Sequence, residues 1–197
     1  PRPWVAVFVG GNSGRFVMTG DKGRRLGSLA ADLATAAGGS VLLTDSARTP
    51  HAVGDALQAQ LTGPNLCYRW GSKDDNPYRG LLALADAFVV TGESMSMLGE
   101  AVDTGRPLYI FDVGDGAAHW WTLPHSYRYK PLSHRLAMRF GPARMRRDIG
   151  NIQNALVHGG GARWLAPAMI DSAAAALKAV TVAPSSFGES GAVARNE

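Results

Sequence analysis

Short apolar runs alternate with helical stretches along the first half of the chain, and this alternation constrains the fold more than any other feature. The first run, Trp4–Val9, ends directly at Gly10-Gly11, and further runs lie at residues 40–44, 66–70, 87–91 and 107–111. Runs that are apolar throughout are typical of strands buried on both faces. We therefore predict an α/β fold with a Rossmann-like parallel sheet of about five strands and helices on both faces.

The segments between these runs predict helices at residues 22–37, 51–61, 79–85 and 94–104. Beyond residue 111 the pattern weakens. Helices are predicted at residues 131–140 and 167–180, joined by an Arg- and Gly-rich stretch. Residues 1–183 are predicted to form a single domain. The small, polar tail at residues 184–197 is predicted to be disordered.

The composition is that of an ordinary globular protein. The chain has 197 residues, of which 46% are hydrophobic and 18% charged. Its single cysteine, Cys67, excludes an internal disulfide and predicts a cytoplasmic location. The sequence has no apolar run of about 18 residues and no signal peptide. It starts with Pro rather than Met, so we expect an excised or processed polypeptide.

The chain is basic, with a formal charge of +4 and a pI of about 9.5. Basic residues cluster at Arg24-Arg25 and at Arg144, Arg146 and Arg147. Such clusters are most often solvated surface, and otherwise contact phosphate or an anionic membrane surface. Nothing in the sequence resembles a nucleic-acid-binding module, so no nucleic-acid partner is expected.

The strand-to-helix junction at residues 89–101 is the strongest candidate for a binding site. Ser94 is a natural N-cap, and Glu100 lies off the apolar face of the following helix. Doubly wound folds bind ligands at the carboxyl ends of the strands, so this junction should face the Gly10-Gly11 turn. Glu100 is interpreted either as a ligand for hydroxyl groups at that edge or as an ordinary surface glutamate.

The glycine turn is a second candidate. In Gly10-Gly11-Asn12-Ser13-Gly14, exposed backbone N–H groups could cradle a phosphate, although an ordinary βα turn explains the same residues. The turn lacks the Gly-Lys-Ser/Thr of a P-loop and the full Gly-x-Gly-x-x-Gly of a dinucleotide site. Arg48 follows the second strand, where it is either a phosphate ligand or an exposed loop residue.

Three other patterns are less informative. The turn Asn76-Pro77-Tyr78 either caps the next helix or forms a wall of the pocket. The five histidines have no metal-ligand spacing, so no metal site is predicted. Ser46 and Ser94 lack a Gly-x-Ser-x-Gly elbow, which disfavours a hydrolase triad. No catalytic residue can be named.

Four motifs together resemble the mitochondrial fission ELM-like family, which occurs in plant mitochondria and in proteobacteria. The motifs are Thr44-Asp45-Ser46-Ala47-Arg48-Thr49-Pro50, Asn76-Pro77-Tyr78, Val90-Thr91-Gly92-Glu93-Ser94-Met95-Ser96-Met97-Leu98-Gly99-Glu100-Ala101 and Thr104-Gly105-Arg106-Pro107. Family members usually have two arginines at Ala47-Arg48 and aspartate at Glu93. They are usually longer, with an additional N-terminal domain.

The glycine turn, Glu100 and Gly105-Arg106-Pro107 are distantly similar to the C-terminal domain of GT-B glycosyltransferases such as MurG. That resemblance implies a domain that binds a nucleotide sugar, with Gly10, Gly11 and Ser13 beside the phosphates and Glu100 holding the ribose. Ser94 and Ser96 would assist with phosphate or sugar, and Arg48 with the diphosphate. The nucleotide sugar is then a substrate, and no cofactor or metal is implied.

The leading interpretation is therefore the nucleotide-sugar-binding half of a metal-independent GT-B-like glycosyltransferase, incomplete without an N-terminal acceptor domain. Its expected partners are that domain and an acceptor at a membrane surface, which would put the protein in the cytoplasm or peripherally on the inner membrane face. The alternative is a non-enzymatic interaction protein of the mitochondrial-fission type on a degenerate glycosyltransferase scaffold. A sugar-nucleotide epimerase is a third option.

Overall fold

The fold is built on one parallel β-sheet. A computed structural model describes residues 1–13, 16–114, 136, 139–142 and 149–182. In the described residues six strands lie in the order β3-β2-β1-β4-β5-β6, and every neighbouring pair is parallel. The strands are β1 (Trp4–Val9), β2 (Ser40–Asp45), β3 (Asn65–Tyr68), β4 (Ala87–Thr91), β5 (Leu108–Phe111) and β6 (Arg163–Trp164).

Helices cover both faces of this sheet. They are α1 (Gly20–Ala37), α2 (His51–Gln58), α3 (Tyr78–Leu84), α4 (Met95–Asp103), α5 (Ile149–His158) and α6 (Ile170–Val182), the last preceded by a 3₁₀ turn at Pro167–Met169. Buried residues of α1, α2 and α6 share one hydrophobic core. Apolar residues of α3, α4 and α5 contribute to a second core on the opposite face.

The two cores explain why β1 is apolar throughout. Along β1, Val5, Val7 and Val9 belong to the first core, whereas Ala6 and Phe8 belong to the second. Successive side chains of a strand point to opposite faces, so a strand covered on both sides places its side chains alternately in the two cores. The predicted α/β fold with a helix-covered parallel sheet is confirmed.

The strand order shows which edge of the sheet is expected to bind a ligand. Strands β2 and β3 lie on one side of β1, and strands β4, β5 and β6 lie on the other. Strand order therefore reverses between β1 and β4, and this switch point opens a crevice at their carboxyl ends. The glycine turn follows β1 and the junction at Glu93 follows β4, so both predicted candidates flank that crevice.

Some predictions differ from the structure after residue 111. The prediction contained neither β6 nor α5, whereas the predicted helix at residues 167–180 is present as the 3₁₀ turn and α6. Of the predicted helix at residues 131–140, only 136, 139 and 140 are described, and these are helical. The predicted disordered tail lies outside the described residues. None of the described helices has the length and apolarity needed to cross a membrane.

Candidate functional site

The glycine turn and the β4–α4 junction are joined by a chain of hydrogen bonds at the switch point. The Gly10 N–H donates to Thr91 Oγ1 over 2.8 Å, and Thr91 Oγ1 donates to Glu93 Oε1 over 3.1 Å. Both bonds are buried. The junction therefore faces the glycine turn, as the sequence predicted.

Glu93 is the most unusual residue of the site, and it is not among the site residues predicted from the sequence. Its side chain is buried, with only 2% of the residue exposed, and Oε2 has no hydrogen-bond partner. Burial raises the pKa of the carboxyl to about 7, although Glu93's own N–H, Thr91, Arg48 and the Gly11 N–H each act to lower it. At neutral pH this carboxyl is therefore divided between its two protonation states.

The glycine turn packs too closely against its neighbours for a side chain at Gly10 or Gly11. A Cβ on Gly10 would overlap Glu93 Oε1 and lie 2.6 Å from Ser94 Cβ. Gly11 has a φ of +98°, and a Cβ there would overlap the Arg48 carbonyl oxygen. Glycine is required at both positions because the backbone passes directly against the β4–α4 junction and the loop after β2.

Most backbone donors of this turn are already engaged within the protein. The Asn12 N–H donates to the Arg48 carbonyl over 3.1 Å, and the Ser13 N–H donates to the Phe16 carbonyl over 3.0 Å. The Gly10 N–H is bonded to Thr91, and the Gly11 N–H faces the Glu93 carboxylate. The predicted phosphate contacts of Gly10, Gly11 and Ser13 stay predictions, and Gly14 lies outside the described residues.

The loop after β2 brings Arg48 to the switch point. Ser46 Oγ donates to the Gly10 carbonyl, and Thr49 Oγ1 donates to the Val9 carbonyl over 3.1 Å, so the loop is fixed to the end of β1. The half-buried Arg48 acts electrostatically on Glu93. Its guanidinium forms no ion pair with any residue that the structure describes.

The start of α4 carries backbone N–H groups that have no acceptor within the helix. Ser94 is the N-cap, as predicted, but its buried Oγ makes no capping bond and has no partner. Helix geometry leaves the N–H groups of residues 95–97 without intrahelical acceptors, and the positive end of the helix dipole lies there. Ser96 is exposed one residue into the helix.

Glu100 lies exposed on α4, and its carboxylate acts on Tyr78. Burial of the Tyr78 hydroxyl and the nearby Glu100 charge together raise the pKa of this tyrosine. The Tyr78 ring packs against Phe8 with centroids 4.6 Å apart. The Asn76 side chain accepts a 3.0 Å bond from the Tyr78 N–H. The Asn76-Pro77-Tyr78 turn thus both shapes the start of α3 and contributes a side chain beside Glu100.

Two polar residues support the site without reaching its open edge. Asp45 ends β2, where Arg69 Nε donates to its carboxylate over 2.6 Å and ties β2 to the segment after β3. Gln153 of α5 donates to the Gly92 carbonyl over 2.6 Å and is buried. Gln153 was missed because the sequence around it does not predict a helix. Among the described residues, no group of three His, Cys, Asp or Glu side chains could hold a metal ion.

The sequence and its relatives identify the family. A sequence model described as Mitochondrial fission ELM1 matches residues 1–129. The chain belongs to this family. Mitochondrial fission protein ELM1 of Arabidopsis thaliana is 38% identical over 121 residues, covering 61% of this ELM1-family chain and 27% of the plant protein. An uncharacterized protein of Rickettsia prowazekii, RP120, is 33% identical over 113 residues, covering 56% of the chain and 32% of the relative. The alignments thus span under a third of either relative.

Two solved structures are distantly similar to this ELM1-family chain. The MAR1 ribonuclease of Caenorhabditis elegans matches with a TM-score of 0.47 and 9% identity, covering 99% of this chain and 97% of that one. AviGT4, a glycosyltransferase involved in avilamycin A biosynthesis, matches with a TM-score of 0.36 and 18% identity, covering 88% and 46%. At these values neither likeness identifies a function.

Proposed function

We propose that this ELM1-family chain is a nucleotide-sugar-binding domain of the GT-B type, which completes a glycosyltransferase only together with an acceptor-binding domain. One observation carries the proposal. The start of α4, the Arg48 side chain and the Glu100 carboxylate belong to segments that meet at the switch point of a doubly wound parallel sheet.

The diphosphate of the donor binds at the start of α4. There the N–H groups of residues 95–97 lack intrahelical acceptors and the helix dipole favours negative charge. Ser94 Oγ has no partner of its own, and Ser96 is exposed on the first turn. Arg48 adds a guanidinium that no described residue pairs. These groups stabilise the charge of the leaving diphosphate without a metal ion.

Glu100 holds the ribose. It lies one turn further along α4 than the phosphate-binding residues, and its carboxylate accepts hydrogen bonds from two neighbouring hydroxyls. Tyr78 is adjacent and presents an apolar ring backed by Phe8. A ribose held by Glu100 would direct its base away from the start of the helix.

The acceptor site and the general base come from a second domain in this proposal. The alignments span 27% and 32% of the two curated relatives, so those proteins have room for another domain. The chain by itself is expected to bind the donor and to transfer no sugar.

Isothermal titration tests this function directly. UDP, GDP, CMP and their sugars are titrated into the chain alone and into the chain joined to the N-terminal region of its family. The Glu100→Gln variant should bind the matching nucleotide roughly 5- to 150-fold more weakly, because a hydrogen-bonded carboxylate is lost. Asp103→Asn, an exposed acid at the end of the same helix, is the control and should bind normally. Failure of every nucleotide to bind the longer protein would refute the proposal.

A non-enzymatic interaction protein on the same scaffold is the second candidate. It is favoured because most backbone N–H groups of the glycine turn already donate hydrogen bonds within the protein, rather than being free for a phosphate. The plant relative is named as a mitochondrial fission protein. The Arg144–Arg147 cluster, which the sequence offered as a contact surface, lies outside the described residues. Under this alternative, Glu100→Ala keeps the partner, and no nucleotide shifts the melting temperature of the chain.

A further inference from the structure

The glycine turn already faces an acidic side chain of the protein itself, the carboxylate of Glu93. In nucleotide-binding domains such turns present backbone N–H groups to a phosphate. Here the Gly11 N–H and the Thr91 hydroxyl face the carboxylate of Glu93 instead. Thr91 also accepts the Gly10 N–H, so Glu93 stands at the end of a hydrogen-bond chain that begins in the turn.

We infer that Glu93 is a proton-linked positioning residue of the glycine turn, and that an anion binding at the switch point draws a proton onto its buried carboxyl. The part of this inference that involves a ligand rests on the proposed function. The part that concerns the glycine turn stands on the geometry of the chain alone.

Close packing prevents the Glu93 side chain from moving out of the anion's way. Only 2% of the residue is exposed, and Gly10 passes so near that a methyl group there would overlap Oε1. Two buried oxygens at this place, Glu93 Oε2 and Ser94 Oγ, have no hydrogen-bond partner. An ionised carboxyl would leave a charged oxygen buried without a donor, and such burial favours the neutral, protonated form.

The charges around Glu93 determine the direction of the coupling. Arg48, from the loop after β2, is the one charged side chain among the described residues that acts electrostatically on it. The β1 turn contributes only Gly10 and Gly11, and α5 contributes the neutral Gln153, which contacts Gly92. When a diphosphate binds beside this pair it shares the Arg48 charge and repels the carboxylate. Both effects favour the protonated form.

The proton is taken up from solvent as the anion binds, and no covalent bond is made or broken. Burial raises the pKa of free Glu93 to about 7, so roughly half a proton should be taken up at neutral pH. By the same linkage the affinity for the anion should fall by up to about tenfold per pH unit above that pKa.

The first experiment needs no ligand. The backbone amide shifts of Gly10 and Gly11 are followed by NMR from pH 5 to pH 9. The wild-type chain should show a common inflection near pH 7, which Glu93→Gln should abolish. Arg48→Gln leaves the buried acid in place and should move the inflection to higher pH, because a positive charge that favours the carboxylate is lost. Flat titration curves in the folded wild-type chain would overturn the inference.

The second experiment measures proton exchange on binding. A nucleoside diphosphate sugar is titrated calorimetrically at pH 7 in two buffers with different ionisation enthalpies. The wild-type protein and Asp103→Asn should take up a fraction of a proton, and Glu93→Gln should take up none while its affinity becomes independent of pH. Binding without proton uptake would remove this inference and leave the proposed function intact. If no nucleotide binds, the proposed function fails, and the amide titration still decides the role of Glu93.

Discussion

At the scale of single residues, Glu93 makes the stability of the protein depend on pH. Its pKa is raised from 4.5 to about 7 by burial, so the folded state holds the proton more tightly than the unfolded state. The free energy of unfolding contributed by this group should therefore fall as pH rises from about 4.5 to 7, by about 3 kcal/mol in all, and then level off.

Urea unfolding of the wild-type chain and Glu93→Gln between pH 4.5 and pH 8 measures this dependence. As pH rises, the wild-type chain should lose stability relative to Glu93→Gln. A difference that does not change with pH would show that the Glu93 carboxyl is not buried in this way.

Gly10 should not tolerate even one added methyl group. In Gly10→Ala the new Cβ overlaps Glu93 Oε1 and crowds Ser94 Cβ, so the junction after β4 must move. We expect a loss of roughly 1–3 kcal/mol of stability. Gly99→Ala is the control, because a Cβ there meets no atom within 4 Å and lies within α4. That change should stabilise the protein by roughly 0.5–1 kcal/mol. Thermal melts of both variants at one pH decide the comparison.

At the scale of elements, Asp45 joins β2 to the segment after β3. Its carboxylate is 5% exposed and accepts from Arg69, while Asp55, the second acid on that guanidinium, is 72% exposed. Asp45→Ala should cost roughly 1–3 kcal/mol because the Arg69 Nε–H and the Trp70 N–H lose their acceptor. Asp55→Ala should cost at most about 1 kcal/mol. Equal losses in denaturant unfolding would contradict this assignment.

Gln153 fixes α5 to the turn between β4 and α4. Replacing Gln153 by Leu removes the donor to the buried Gly92 carbonyl, which should cost roughly 1–3 kcal/mol. Asn154→Ala changes the exposed neighbour on the same helix and should be nearly neutral. Hydrogen exchange gives a second measurement, since the hydrogen-bonded amides of Ser94 and Leu98, on either side of the start of α4, should lose protection in the first variant only.

The bounds of central, buried strands were predicted more accurately than those of short elements or elements beside irregular segments. The ends of β1 and β4 were predicted correctly, because both strands are central, β1 is apolar at every position and β4 at every position before Thr91. The two-residue strand β6 is too short for a periodic signal, and α5 begins next to an Arg-rich stretch that reads as loop. The meeting of the glycine turn with the β4–α4 junction was predictable, since turns after adjacent parallel strands lie at the same edge of the sheet. The burial of Glu93 was not, because it depends on how closely Gly10 approaches β4.

At the scale of the whole molecule, the last helix completes the first hydrophobic core. The fully buried Leu177 of α6 belongs to that core, and α6 packs against α1. Leu177→Ala should therefore destabilise the entire domain by roughly 2–5 kcal/mol. Val180, three residues further along α6, is 56% exposed, and its change to Ala should have little effect. If Leu177→Ala left the melting temperature unchanged, α6 would not be an integral part of the domain.

The pairing of β1 with β4 also determines when the site can form during folding. The hydrogen bond from Gly10 to Thr91 closes a separation of 81 residues, and β1 lies between β2 and β4 in the sheet. A chain still emerging from the ribosome can pair β1 with β2, and β2 with β3, long before β4 exists. Since closing long loops is slow, the crevice should appear among the last events of folding. Premature termination after β3 and before residue 87 would thus produce a partial sheet whose β1 edge is open to other chains.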